Sequence, residues 1–251
     1  MKAYTINLKR CSERREYIKT ELQQMPFIIN EFIDGVDGST LSPSELKQFN
    51  SKLSFKIYGR KLKLGEIGCT LSHRKCYKTV INNNNRSAII FEDDIVITNI
   101  NKTLWNDLKE FIEQFDKPAV ILLSGGWWEY GNKQNSKSLN LRKIYNAYYT
   151  HAYIINYKAA SLMDSIPIAY LADDWKRFKK YGLHIFAIKP HLVDQQWNGS
   201  MPSIIQTNSM HGFDSMNWIY KLKSYLNIIP CKILGLLGLH ESDNYSNQKQ
   251  I

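Results

Sequence analysis

Ser87-Ala-Ile-Ile-Phe-Glu-Asp-Asp-Ile-Val-Ile-Thr98 is an apolar run that delivers three consecutive carboxylates, Glu92, Asp93 and Asp94, and then turns apolar again. A short β-branched run of this kind predicts a fully buried strand. An ion moved into low dielectric loses its solvation, so three carboxylates at a strand end need a cation, an array of donors or water. A divalent metal meets that need most simply. Mg²⁺ and Mn²⁺ take hard oxygen ligands and complete their shell with substrate phosphates. An acidic turn that closes the strand in solvent and caps the next element fits the same residues.

Upstream, residues 3–8 (Ala-Tyr-Thr-Ile-Asn-Leu) predict a first buried strand, followed by Lys9, Arg10 and a helix with Ser12 as its cap and Glu13 in its first turn. Arg14 and Arg15 ride that helix. Basic side chains where a first strand enters its helix suit a diphosphate, and they equally suit a solvated helix face. Residues 27–33 predict a second strand, and Asp34-Gly35-Val36-Asp37-Gly38 a turn. Ser42-Pro43-Ser44-Glu45 is a capping box with proline at the first helical position, predicting a short helix to about Phe49. Residues 64–80 predict a longer helix, whose Gly65 and Gly68 permit close approach to a neighbour. His73 lies one turn further in and reads either as a satisfied structural histidine or as a functional one. The alternation of strand and helix predicts an α/β fold with a mostly parallel, doubly wound sheet flanked by helices. Its ligand crevice would lie outside the carboxyl ends of the strands, where Glu92, Asp93 and Asp94 stand.

Downstream, residues 104–115 are amphipathic, and residues 119–123 predict a buried strand. Residues 124–138 mix Gly125, Gly126 and Gly131 with Trp127, Trp128 and Tyr130, which predicts a long loop able to stack on a sugar or a base. Residues 150–156 and 183–188 read as strands, and 157–163 as a helix. Asp173 and Asp174 form a second acidic cluster at a predicted helix start, where a cap and a functional carboxylate are both reasonable. Residues 216–239 combine aromatic, aliphatic and lysine side chains around Pro230. They are too interrupted to span a bilayer, and they suit either an interfacial helix on an anionic membrane or packing on the main domain.

The chain has 251 residues and a formal net charge of +10, with 43% hydrophobic and 12% aromatic residues. That is a globular composition with room for a sizeable core. The first 80 residues hold 15 Lys/Arg against 8 Asp/Glu, an excess that calls for an anionic partner or is simply a basic surface. Cys11, Cys69, Cys76 and Cys231 form no C-x-x-C pair and read as reduced thiols, and residues 1–25 show no signal or transmembrane pattern. A cytoplasmic protein is expected.

Taken together, Ile6-Asn7-Leu8 with Arg14-Arg15, Gly65-Glu66-Ile67-Gly68-Cys69 with Ser72-His73, residues 89–94, and Thr150-His151-Ala152-Tyr153-Ile154-Ile155 resemble, in this order, glycosyltransferase family 25. This is the lipopolysaccharide and lipooligosaccharide glycosyltransferase family of Gram-negative bacteria, and the likeness covers about residues 1–205. The resemblance implies a GT-A-like inverting transferase with a nucleotide-sugar donor, often UDP-galactose, and Mn²⁺ or Mg²⁺. It implies that Glu92, Asp93 and Asp94 form the metal and diphosphate motif, with Asp94 the first direct ligand and Asp93 beside it. Asn7, Arg10, Arg14 and His73 would flank the nucleotide and His151 the donor sugar. Asp174, or Asp173 if the register shifts by one, would be the base. His191 is an outlying candidate for a third metal ligand. The expected acceptor is a lipid-linked oligosaccharide, met at the cytoplasmic face of the inner membrane by a catalytic domain of residues 1–213 and a basic, amphipathic helical tail of residues 214–251.

Two other classes compete. A phosphotransfer enzyme of the haloacid dehalogenase kind needs an aspartate nucleophile two residues before a second aspartate, and Glu92 occupies that position. A nucleic-acid-binding module would suit the charge, but no zinc finger or RNA-binding signature is present and the basic residues are dispersed. Nucleic acid is therefore not expected as a partner.

Overall fold

The computed structural model describes residues 1–130, 134–136, 139–196 and 218–241. β1 (Lys2–Asn7) leads into α1 (Ser12–Gln23) and β2 (Ile29–Asp34), which returns parallel to β1. Cys11, not Ser12, stands at the N-cap of α1, and it makes no side-chain cap bond. α2 (Pro43–Gln48) opens on the expected capping box: Ser42 accepts from the Glu45 amide and the Glu45 carboxylate accepts from the Ser42 amide. α3 (Ser51–Tyr58) had no clear sequence signal, and its end is set by Gly59 in the left-handed region at φ 67°.

α4 (Leu64–Asn82) follows and delivers the chain to β3 (Ser87–Glu92). The apolar run after the carboxylates is a separate strand, β4 (Ile95–Ile97). α5 (Lys102–Gln114) buries Trp105, Leu108 and Ile112 on one face. Then come β5 (Ala119–Leu122), β6 (Trp127–Glu129), β7 (Gln134–Ser136), β8 (Leu139–Ala147) and β9 (Ala152–Asn156), with no helix between them among the described residues. α6 (Tyr157–Ser165), α7 (Trp175–Phe178), β10 (His184–Ile188) and β11 (Val193–Gln195) complete this part of the chain. The predicted helix at 172–182 is only α7 and a short 3-10 turn, stopped by Gly182 at φ 97°.

The sheet runs β2-β1-β3-β9-β5-β10-β8-β6 from one edge, and it is mixed rather than mostly parallel. β1 pairs parallel with β2 and β3, and β10 with β5. β9 is inserted antiparallel between β3 and β5, and β8 is antiparallel to β10. The physical reason lies in the connections. A parallel return needs a crossover, usually a helix, and the described residues from β5 to β9 form none. For the same reason residues 124–138 are not one long loop. β6 and β7 add to β8 as antiparallel strands, with Trp127 buried.

Alternation along β3 builds a core on both faces. Ala88 and Ile90 join Tyr4, Tyr77, Tyr153 and Trp175 under α4 and α6. Ile89 and Phe91 join Ile18, Trp105, Leu108 and Ile121 under α1 and α5. The last helix, α8 (Trp218–Leu236), is followed by β12 (His240–Glu241), which pairs with β6. The expected boundary near residue 213 lies outside the described residues, as does the segment from 242 onward. Among the described residues no helix is long and apolar enough to cross a membrane.

The glycines of α4 do allow a close approach, and the neighbour is the turn after β2. A Cβ on Gly68 would stand 2.5 Å from the Val36 carbonyl and 2.8 Å from the Gly38 nitrogen. Ser72, one turn on, accepts from the Val36 amide at 2.8 Å. Gly68→Ala is therefore expected to destabilise the protein by about 1–3 kcal/mol through overpacking. A lowered thermal midpoint checks this; an unchanged one would mean that the helix and the turn can separate freely.

Candidate active site

β1 and β3 are parallel neighbours, so their carboxyl ends open on the same edge, with Ile6 opposite Glu92. The turn that follows β3 carries Asp93 and Asp94, and both are buried. Asn7, the last residue of β1, donates from Nδ2 to Asp93 Oδ2 at 2.7 Å. Arg14, on the first turn of α1, spans both acids. Its Nε lies 3.1 Å from Asp93 Oδ1, and its Nη2 pairs with Asp94 Oδ2. From the other side, Gln195 Nε2 donates to Asp94 Oδ2 at 2.9 Å and the Gln196 amide to the Asp94 carbonyl at 2.7 Å. Burial pushes the Asp93 carboxyl up to about 6, against the pull of Arg14 and Asn7.

Glu92 turns the opposite way. Its Oε1 accepts from the Thr150 hydroxyl at 2.5 Å and lies 3.3 Å from His73 Nε2. An ionised carboxylate can only accept, so Nε2 of His73 carries the hydrogen. His73 Nδ1 meets the Tyr153 hydroxyl at 2.8 Å, which bonds on to Tyr77. Burial raises the Glu92 carboxyl, but the bond from His73, the charges of His151 and His73 and the bond from Thr150 outweigh it, and the net shift is down to about 2. His73 thus belongs to a buried hydrogen-bond chain beneath the site.

The antiparallel course of β9 brings Thr150 and His151 to this same edge. The Glu92 amide donates to the His151 carbonyl at 2.8 Å. Tyr149 holds a left-handed backbone at φ 73°, a conformation that costs a non-glycine residue energy, and its ring stacks on His151 at 4.9 Å. Its amide reaches Asp173 Oδ2 at 3.5 Å, and its carbonyl accepts from the Trp175 indole at 2.8 Å. Asp173 is raised by burial, with the Asp174 and Glu92 charges adding to the effect.

Asp173 and Asp174 face different surroundings. Asp174 accepts from the Tyr58 hydroxyl at 2.6 Å and from Arg177 Nε at 2.7 Å, which fixes it against α3 and α7. Asp173 instead meets the Tyr149 amide. Arg10 pairs with Asp37. His191 is buried against Trp127, with ring centroids 4.8 Å apart, and its Nδ1 lies 3.3 Å from Asp194. Among the described residues it bonds to neither Asp93 nor Asp94, and its Nε2 has no hydrogen-bond partner there. Thr150, Tyr149, Tyr58 and Gln195 are site residues that sequence reasoning did not single out. Thr150 stood within a recognised motif; the other three carry no local signal.

The donor set favours a hard cation at the aspartates. Asp94 Oδ1 and Asn7 Oδ1 are both buried oxygens without a hydrogen-bond partner among the described residues. A second cluster, Cys69, His73 and Glu92, holds its ligand atoms within 4.8 Å of one another. It fits a metal poorly. Thr150 and His73 already bond the Glu92 oxygen, His73 Nδ1 already meets Tyr153, and burial raises the Cys69 thiol.

Comparison with known proteins adds to this geometry. A family model described as Glycosyltransferase family 25 (LPS biosynthesis protein) matches residues 1–168. Procollagen galactosyltransferase 2 of Mus musculus is 26% identical over 217 residues, covering 76% of this chain and 34% of the relative. Procollagen galactosyltransferase 1-A of Xenopus laevis is 34% identical over 96 residues, covering 37% of this chain and 16% of the relative. The chain thus spans about a third or less of the length of these curated relatives. Among solved structures, a UDP-glucose pyrophosphorylase complexed with UDP-glucose is similar with a TM-score of 0.39 and 8% identity, over 74% of this chain and 89% of that one.

The Glu92 network has a pH consequence. A carboxyl whose folded value of about 2 lies below its ordinary 4.5 contributes stability above pH 4.5 and loses it as pH falls toward 2. Glu92→Gln should lower the thermal midpoint at neutral pH and flatten the acid loss of stability in that window. Parallel acid-unfolding curves for the two proteins would sink the assignment.

Proposed function

The chain belongs to glycosyltransferase family 25, and from that premise we propose that it transfers galactose from UDP-galactose to a hydroxyl of a glycan acceptor, with inversion at the anomeric carbon. The observation that carries this reading is the buried Asp93-Asp94 turn at the joined ends of β1 and β3, with Asp173 meeting the amide of Tyr149, which stacks on His151 at the same edge. The names of the two galactosyltransferase relatives support galactose as the sugar. The family's description supports a lipopolysaccharide-type, lipid-linked acceptor.

The acceptor hydroxyl must lose its proton as it attacks, and Asp173 is the base we assign. Burial and two neighbouring carboxylates make it more basic than an ordinary aspartate, which suits it to take that proton. Asp174, held by Tyr58 and Arg177, positions the segment that carries Asp173. One displacement on the face opposite the departing diphosphate inverts configuration, and no enzyme nucleophile is required. His151, under the Tyr149 ring, flanks the donor sugar. Mn²⁺ or Mg²⁺, held by Asp94 with Asn7, would supply positive charge for the leaving diphosphate. Arg14 pairs with both aspartates and adds its own charge to the field there.

Purified protein with a truncated lipooligosaccharide acceptor should release UDP from UDP-galactose faster than from UDP-glucose or UDP-N-acetylglucosamine, and chelation by EDTA should abolish the release. Silence from every donor, with no UDP binding, would overturn the reading. Asp173→Asn should lower turnover by roughly 10²–10⁴-fold with donor binding retained. Turnover should rise with pH over a limb above the ordinary aspartate range, because the base must be ionised and its proton is held more tightly. Asp174→Asn should lower the thermal midpoint more than turnover, and the reverse pattern would move the base to Asp174. Asp94→Ala should weaken donor binding in the presence of Mn²⁺; activity that survives both this change and EDTA would remove the cation from the scheme.

A further inference from the structure

Among the described residues, helix α8 touches the rest of the molecule by one face. Tyr220 fills the space over Gly59, where a Cβ would stand 2.3 Å from its ring. The Asn227 carbonyl accepts from Lys176 Nζ at 3.3 Å, and Cys231 is buried. At about 100° per residue these three positions fall together on one side. On the opposite side stand Trp218, Leu222, Tyr225, Ile229, Ile233 and Leu236, spaced by four, three, four, four and three residues. All six are exposed, Trp218 by 70% and Leu236 by 89%. They occupy about one quarter of the helix circumference along its whole length.

We infer that this stripe is a docking surface for an anionic phospholipid bilayer, on which α8 lies flat. An exposed apolar face of this length is unfavourable in water and marks an interaction site. Charge decides the partner. Lys221 and Lys232 stand on one flank of the stripe, and α8 contains no acidic residue. An anionic leaflet such as the cytoplasmic one meets those lysines with opposite charge, whereas a second copy of the chain would meet them with like charge. Trp218 and Tyr225 have the apolar body and polar tip that suit the headgroup boundary.

The bond from Lys176 ties the helix to α7, two residues beyond Asp174. The helix therefore packs beside the segment that follows Asp173, and a lipid-linked acceptor held at the membrane would be presented from this side of the molecule. That last consequence rests on the transfer reading; membrane binding itself does not.

The test is flotation of the full chain with vesicles of phosphatidylcholine alone or with about a third phosphatidylglycerol. The protein should float with the anionic vesicles only, and less so as salt rises. Leu222→Glu combined with Ile233→Glu should lower that partition by roughly tenfold or more, with the thermal midpoint and UDP release onto a soluble acceptor unchanged. If the double variant unfolds, Lys232→Glu serves instead, expected to reduce anionic partition while leaving the midpoint intact. Equal behaviour of wild type and variants, or no flotation with either vesicle, overturns the proposal. So does a concentration-dependent dimer in sedimentation that the double variant abolishes, since a second copy would then cover the stripe. UDP release without flotation would overturn the docking surface alone and leave the transfer reading standing.

Discussion

Burying the charge of Asp93 and Asp94 beside the end of β3 is the constraint to which much of the molecule answers. Two adjacent carboxylates repel each other and lose their water. Here Arg14 from α1, Asn7 from β1 and Gln195 from β11 supply the compensation, so elements far apart in sequence converge on one turn. Breaking a buried pair by removing one partner costs on the order of 3–5 kcal/mol. The same turn therefore pins the first strand, the first helix and the β4–β11 pair, and leaves Asp94 Oδ1 and Asn7 Oδ1 buried without a hydrogen-bond partner among the described residues. Stability and chemistry draw on one set of contacts.

The sheet makes that convergence possible by staying rigid behind it. Each central strand gives alternate side chains to two separate cores, and the helices cover both faces. The polar residues at the strand ends then stand on a support that packs like a crystal. Chemistry is confined to the edge, on turns held from below, as where the His73–Tyr153–Tyr77 chain braces Glu92 from within the core.

Local patterns told the elements well and the arrangement less well. β1, α2, α4, β3 and β9 each follow from signals within a few residues: a β-branched run, a capping box, helical spacing. Their partners do not. Nothing near Asp174 announces Tyr58, which lies 116 residues away, and nothing near Asp94 announces Gln195. The three carboxylates of the acidic run looked alike in sequence, yet Glu92 turns to α4 while Asp93 and Asp94 turn to α1, a division that only the break between β3 and β4 creates. Trp127 and Trp128 look like loop residues in sequence because glycines flank them. Pairing with β8 is a long-range gain that no short window contains. The mixed sheet was likewise hidden in what was missing, the crossover helix between β5 and β9.

That antiparallel β9 carries a consequence for how the protein can change over time. In a wholly parallel sheet every functional edge is built from segments leaving their strands, and each is tied to the crossover that follows. Here the edge has two banks of different origin. One is made of residues departing β1 and β3; the other, with Tyr149 and His151, is made of residues arriving from the β8–β9 connection. Insertions in that connection can remodel one bank while the other stays as it is. The fold thus separates what must be kept from what is free to diversify.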